Sequence, residues 1–234
     1  MLHLLIPAAG ESQRFKDAGY TTPKGLMQIE WRGKRATMIE HIVASVGVAL
    51  HTTVGVKFDD RERFEEALPL YTVTPIVDST GQACTVAMMA NAVSPEDELL
   101  VVNSDNAFDG YAPMYMVIRA RRAHASAAAL VFEADHDRYG FVDGYPYFSK
   151  GAEKNPISPY ALAGAFYFRS AKDLVTANIR AAPAANGEFY LSGVFEHLHG
   201  TKLAVKINRD MLHEWGTPQS LADDLANSNK GAHI

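Results

Sequence analysis

A chain of 234 residues, 47% apolar and 21% charged, has the composition of a globular protein with one large domain or two small ones. Its formal charge of −5 argues against nucleic acid as the main partner, and its single cysteine excludes an intrachain disulfide and fits a reducing compartment. No apolar run approaches the ~18–20 residues of a membrane span, and no basic region precedes the first apolar run, so a cytoplasmic protein without a membrane partner is expected.

The apolar run at residues 2–6 reads as a first strand, broken by Pro7-Ala8-Ala9-Gly10. Residues 38–50 carry Met38, Ile39, Ile42, Val43 and Val46 at helical spacing. A strand at 51–56 and a charged surface helix at 58–68, stopped by Pro69, come next. The strand at 73–77 contains Pro75, which puts it at an edge or in a bend. A helix at 85–93 and a buried strand at 99–103 follow. Such alternation implies parallel strands joined by crossover helices.

Beyond residue 110 the pattern is less regular. A helix at 113–123 and a strand at 127–132 lead to a hairpin signal, Asp143-Gly144 between 141–142 and 145–148. A strand at 161–168 precedes a helix capped by Ser170 and running to about 180. A loop at 183–187, a helix at 189–198 and a strand at 203–207 follow, and Thr217 caps a last helix with Pro218 in its first turn. The expected architecture is α/β, Rossmann-like, with a mixed, mainly parallel sheet flanked by helices. It is read as a single domain over 1–226, divided near residue 110, with a flexible tail at 227–234.

Chemistry concentrates at the end of the first strand. Small residues there let a ligand approach the backbone, and the isolated cations Arg14 and Lys24 just beyond are what a polyphosphate needs. Two common glycine loops are excluded: the dinucleotide fingerprint needs three glycines where only Gly10 stands, and the P-loop needs Ser or Thr where Gly25 follows Lys24. Asp105 ends the run at 99–103, which puts it at the carboxyl edge of the sheet, where ligands bind in open α/β folds and where it could ligate Mg²⁺.

What remains, I-P-A-A-G-x-x-x-R-F with a lysine ten residues after the arginine, resembles the nucleotidyltransferase superfamily. The resemblance is to sugar-1-phosphate nucleotidylyltransferases (NDP-sugar pyrophosphorylase-like), in the short bacterial capsule or lipopolysaccharide form, and it continues in family order. Residues 78–83 (DSTGQA) resemble the base-recognition segment, 101–108 (VVNSDNAF) the metal strand, and Glu153-Lys154 with 161–168 (ALAGAFYF) the sugar-phosphate segment. Gly187-Glu188-Phe189-Tyr190 and Glu214-Trp215-Gly216-Thr217-Pro218 resemble the C-terminal sugar-site and second-metal segments.

The resemblance implies a Mg²⁺-dependent enzyme that couples a nucleoside triphosphate to a sugar-1-phosphate, releases pyrophosphate and makes an NDP-sugar for polysaccharide biosynthesis. Arg14, Lys24 and Asp105 would be catalytic. The nucleotide would lie against Ala8, Ala9, Gly10, Glu11 and Ser104, with Gly81 and Gln82 reading the base. Gly140, Glu153, Lys154, Gly164 and Glu188 would bind the acceptor. Asp105 would hold the metal with Glu214, although the family usually has Asp in an Asp-x-Gly-Thr step there.

Cys84 lacks the following residues of a cysteine-protease signature and reads as a buried helix cysteine. His197 and His199 point in different directions on a helix and make a poor metal pair. Alternatives are a cytidylyltransferase acting on a non-sugar phosphate such as phosphocholine, and a catalytically silent nucleotide-binding subunit. A glycosyltransferase would need an Asp-x-Asp pair, which Ser104-Asp105-Asn106 lacks. Base, acceptor and homo-oligomerisation stay open.

Overall fold

The computed structural model describes residues 1–48 and 50–228. In chain order its first half holds β1 (Leu2–Pro7), α1 (Gln13–Asp17), β2 (Gln28–Trp31), β3 (Lys34–Thr37), α2 (Met38–Val46), β4 (His51–Lys57), α3 (Arg61–Ala67), β5 (Thr72–Ile76), α4 (Gln82–Ala90), β6 (Glu98–Val102) and β7 (Asn106–Phe108). The second holds α5 (Ala112–Arg122), β8 (Ala127–Glu133), β9 (Gly140–Val142), β10 (Tyr147–Phe148), β11 (Gly151–Glu153), β12 (Tyr160–Phe168), α6 (Ala171–Arg180), α7 (Leu191–Val194), β13 (Lys202–Lys206), β14 (Leu212–Glu214) and α8 (Pro218–Ser228).

The main sheet has the order β10-β13-β8-β12-β6-β1-β4-β5, with β9 and β11 attached beside β12. Strands β1, β4, β5 and β6 pair in parallel, as do β8 and β13. Strand β12 joins the two groups by running antiparallel to both β6 and β8. The carboxyl ends of β1, β4, β5, β6, β8 and β13 therefore emerge along one edge. That edge carries the site.

Alternation explains why the central strands are apolar throughout: both of their faces are covered. Leu4, Ile6, Leu100, Val102, Ala163 and Tyr167 face one core cluster with α2 and α5, and Leu5, Leu99, Val101, Leu162 and Phe166 face the other with α4 and α6. Pro75 lies in β5, which pairs only with β4 at the sheet edge, where a missing N–H is tolerated. Among the described residues no helix is long and apolar enough to cross a membrane.

Several boundaries differ from the sequence reading. Helix α2 stops at Val46 because Gly47 closes it, while a Thr37–Glu40 capping box fixes its start. Helix α4 begins three residues early, at Gln82, which puts that side chain at the sheet edge. The hairpin expected around Asp143-Gly144 does not form: β9 pairs with β11, and β10 pairs with β13 instead. The Asp143 carboxylate accepts the backbone N–H groups of Ser149 and Lys150, which closes a longer loop. Phe189 and Tyr190 precede α7 rather than forming part of it, Tyr190 being extended, and Cys84 is half-buried with its Sγ 3.4 Å from the Thr80 hydroxyl. Of the expected tail, Asn227 and Ser228 belong to α8, and 229–234 lie outside the described residues.

Candidate active site

A cleft of about 980 Å³ runs along the carboxyl edge of the sheet. Ala9, Gly10, Glu11, Arg14, Lys24, Gly81, Gln82, Ser104 and Asp105 line it from the first half of the chain, and Gly140, Glu153, Gly164, Glu188 and Glu214 from the second. Two expected residues are not on its wall. Ala8 lines a smaller neighbouring cavity of about 210 Å³ behind the loop, and the Lys154 ammonium sits over the Tyr190 ring at 6.0 Å.

The loop after β1 is anchored at both ends. Ala8 N–H donates to Gly55 O at 2.7 Å, and Phe15 of the short α1 is buried, so Arg14 beside it faces outward into the cleft. Gly10 would have nothing within 4 Å of an added Cβ, so that face is open. Glu11 pairs with Lys57 and Lys16, whose hydrogen bonds hold its carboxyl below the usual carboxylate range. Lys24 Nζ donates to Asp105 Oδ2 at 2.9 Å, a contact that spans 81 residues of chain. Both partners are mostly shielded, with side-chain exposures of 14% and 28%.

Gly81 caps α4 with φ +121°, a conformation that suits glycine. A Cβ there would come 2.6 Å from Phe189 O and 2.7 Å from Phe189 N. Phe189 N–H in turn donates to Thr80 O, and Ala83 N–H to Phe189 O, so the segment carrying Glu188 is laced onto the segment carrying Gly81 and Gln82. The Gln82 amide donates to Asn103 Oδ1, which fixes its orientation.

On the opposite side of the cleft, Gly140 leaves room for Glu153, whose Oε2 would lie 2.7 Å from a Cβ at that position. Burial pushes the Glu153 carboxyl up from its ordinary value, against the Ser192 hydroxyl that donates to it at 3.1 Å. The Glu188 carboxylate accepts from Tyr190 and from Asn186 at 2.9 Å, and burial together with that carboxylate pushes the Tyr190 phenol up to about 12.

Asp105 suits a hard cation such as Mg²⁺: a carboxylate at a strand end, open to the cleft, with room for substrate oxygens beside it. Glu214 does not suit that task. Its Oε2 accepts from Tyr139 at 3.0 Å, from Arg138 at 3.1 Å and from Arg209. Among the described residues no three acidic, histidine or cysteine side chains converge in a way that could hold a metal.

Sequence reasoning gave no role to Asn103, Arg138 or Arg209, which line the cleft together with Tyr139, one of a cluster of aromatics that could line a pocket, and Tyr190 of the sugar-site-like segment. The signal for Arg209 was the one that found Asp105: a polar residue just past an apolar strand that ends at the same edge.

The profile of the MobA-like NTP transferase domain matches residues 4–202. The chain is similar to a nucleoside-diphosphate-sugar pyrophosphorylase from Vibrio cholerae RC9, at 25% identity and a TM-score of 0.78, with 95% of this chain and 99% of that one covered. It shares its fold with a UDP-glucose pyrophosphorylase in apo form, at 14% identity and a TM-score of 0.80, covering 99% of both chains. A UDP-glucose pyrophosphorylase complexed with UDP-glucose gives 14% identity and a TM-score of 0.79 over 99% of both. A search of curated proteins finds no match.

Proposed function

The chain belongs to the MobA-like NTP transferase domain family and is a nucleotidyltransferase; from that premise we propose that it couples a nucleoside triphosphate to a sugar-1-phosphate. One acceptor phosphate oxygen forms a bond to the α-phosphorus as the α–β bridging P–O bond breaks, and pyrophosphate leaves with the electron pair. The nucleophile is already an anion, so the reaction needs positioning and charge stabilisation rather than a general base.

The observation that carries this reading is the Lys24–Asp105 contact, which brings the loop after β1 and the end of β6 to one point of the cleft. Arg14 has the planar fork suited to phosphate oxygens and makes no hydrogen bond or ion pair among the described residues, so it is available to the triphosphate. Lys24 adds a second positive charge that a triphosphate can share with Asp105. Asp105 would hold Mg²⁺ together with phosphate oxygens; when bound, the ion supplies positive charge to the reacting phosphates. Gly81 and Gln82 read the base edge, since a side-chain amide offers both donor and acceptor. Glu153 and Glu188 accept acceptor hydroxyls, and Gly164 leaves room for the sugar ring. The whole described chain acts as one domain, nucleotide half and acceptor half meeting at this cleft.

The test is pyrophosphate release from four nucleoside triphosphates crossed with a panel of sugar-1-phosphates and phosphocholine, with and without Mg²⁺. Release with at least one sugar-1-phosphate is expected. Release with phosphocholine alone would replace the sugar reading, and silence across the panel with nucleotide binding intact would replace it with a silent subunit.

A further inference from the structure

Among the described residues, four cationic side chains line the cleft: Arg14 and Lys24 on the nucleotide side, Arg138 and Arg209 on the other. The first pair is committed to the triphosphate in the reading above. Lys154, the cation expected for the acceptor, is off the cleft wall and over Tyr190. The acceptor side nevertheless holds two arginines that no part of the proposed reaction yet uses.

Their placement follows from the sheet. Strands β8 and β13 pair in parallel, so the chain past Glu133 and the chain past Lys206 leave the same edge side by side. Arg138 lies in the first of these segments and Arg209 in the second. Each guanidinium is braced: Arg138 rests on the Tyr139 ring at 4.6 Å, and Arg209 rests on the Phe132 ring at 5.4 Å while donating to Leu212 O at 2.8 Å. Glu214 stands between them, with both arginines and the Tyr139 hydroxyl converging on its Oε2.

The charges on this cluster do not cancel. Two guanidinium groups share one carboxylate, which leaves an excess positive charge facing the cleft. Glu214 is the shielded member, at 22% side-chain exposure, whereas Arg138 and Arg209 are 58% and 45% exposed. Each arginine has five N–H donors and spends only part of them inside the cluster. A carboxylate saturated by three donors is a poor ligand for a cation, whereas two braced and partly unsatisfied guanidiniums are a good site for an oxyanion.

We propose that Arg138 and Arg209 form the clamp for the acceptor's phosphate, and that Glu214 is a positioning residue for the two arginines rather than a metal ligand. The proposal rests on the nucleotidyltransferase reading and names the groups that hold its second substrate. It also accounts for glutamate at position 214: the longer side chain reaches between two arginines.

The experiment is steady-state kinetics of Arg138→Ala, Arg209→Ala, the double variant and Glu214→Gln, with each substrate varied in turn. Losing charged hydrogen bonds to a phosphate should raise the acceptor KM about 10–100-fold in the double variant, with the triphosphate KM within about twofold. Inorganic phosphate should inhibit the wild type competitively against the acceptor, and this inhibition should weaken by a similar factor in the double variant. Glu214→Gln should raise the acceptor KM while the Mg²⁺ concentration for half-maximal rate stays unchanged, and Glu214→Asp should recover part of the loss. Should the double variant not fold, Arg138→Ala decides the matter alone, because its side chain contacts only Tyr139 and Glu214 among the bonds described. An unchanged acceptor KM, or a Glu214→Gln effect confined to Mg²⁺ dependence, overturns the proposal. No transfer by the wild type with any substrate pair would instead sink the functional reading beneath it.

Discussion

Gly164→Ala is the substitution whose cost can be worked most directly from the structure. Gly164 lies in β12 at φ +83°, between Leu162 and Phe166, where the pairing with β8 shifts register. A methyl group there forces a left-handed backbone on an L-residue, at about 1–2 kcal/mol. It also meets Asn103 Nδ2 at 2.8 Å and Asn106 Oδ1 at 3.0 Å. Asn103 must turn away, and its Oδ1 is the acceptor of the Gln82 amide. Losing that hydrogen bond adds ~0.5–1.5 kcal/mol. The sum is about 1.5–3.5 kcal/mol, or roughly 3–14 °C in Tm for a chain of this length. Thermal unfolding followed by circular dichroism measures the first consequence. The second is kinetic: Gln82 loses its fixed orientation, so discrimination among the four triphosphates should relax. A Tm within ~1 °C of wild type together with unchanged base discrimination would refute the linkage from Gly164 through Asn103 to Gln82.

Arg14→Ala and Asp105→Asn should each lower kcat roughly 10²–10³-fold, the scale seen when a preorganised charge stabiliser is lost, and near-normal turnover in both would remove them from the reaction. Glu153 must be ionised to accept a sugar hydroxyl, and burial raises its pKa despite the Ser192 hydroxyl and Lys154. The acid limb of kcat/KM for the acceptor should therefore sit above the ordinary carboxylate range and vanish in Glu153→Gln; a limb that persists in the variant assigns it to another group. His213 is buried, which opposes its charge, but Asp224 at 2.7 Å and Asp109 at 3.4 Å outweigh burial and raise its pKa. The native state thus binds this proton more tightly than the unfolded chain does. The stabilisation is complete below the unfolded value of about 6.5 and is lost as pH rises through the elevated native value. Urea midpoints of wild type and His213→Gln should converge as pH rises above about 6.5 and passes the elevated native value, and a constant gap would exclude the linkage.

The parts of the fold legible in sequence were those whose pattern is set by burial on both faces or by a local cap. The strand at 2–6, the strand at 99–103 and the Ser170 and Thr217 caps all declare themselves within a few residues. The hairpin of β2 and β3 was overlooked although Ile29 and Trp31 alternate with Gln28 and Glu30, because a four-residue strand seldom stands out. The false hairpin at 141–148 shows the opposite failure. Asp143-Gly144 carries turn chemistry, but the Asp143 side chain spends it on Ser149 and Lys150, and β9 finds its partner in β11. For the cleft, residues tied to a local motif could be named in advance. Arg138 and Arg209 could not, because nothing short of the β8–β13 pairing brings them to Glu214.

The second half of the chain does more than line one side of the cleft. Asp105 is held in place by it: Trp215 N–H donates to Asp105 O at 2.8 Å, and β14 pairs with β7 directly after that residue, with Glu214 opposite Asn106. On the other side, Asn103 N–H donates to Gly164 O at 2.9 Å, so the turn carrying Asp105 is pinned from both flanks by segments far along the sequence. The residue proposed to act on the triphosphate is therefore positioned by the strands that border the proposed acceptor site. Displacing β14 or the Gly164 bend should reach Asp105 through the backbone and lower kcat even where no nucleotide contact is altered. A change confined to the Arg138 or Arg209 side chain should move the acceptor KM alone. The split between kcat and KM thus separates the frame of the site from the groups that grip the substrate.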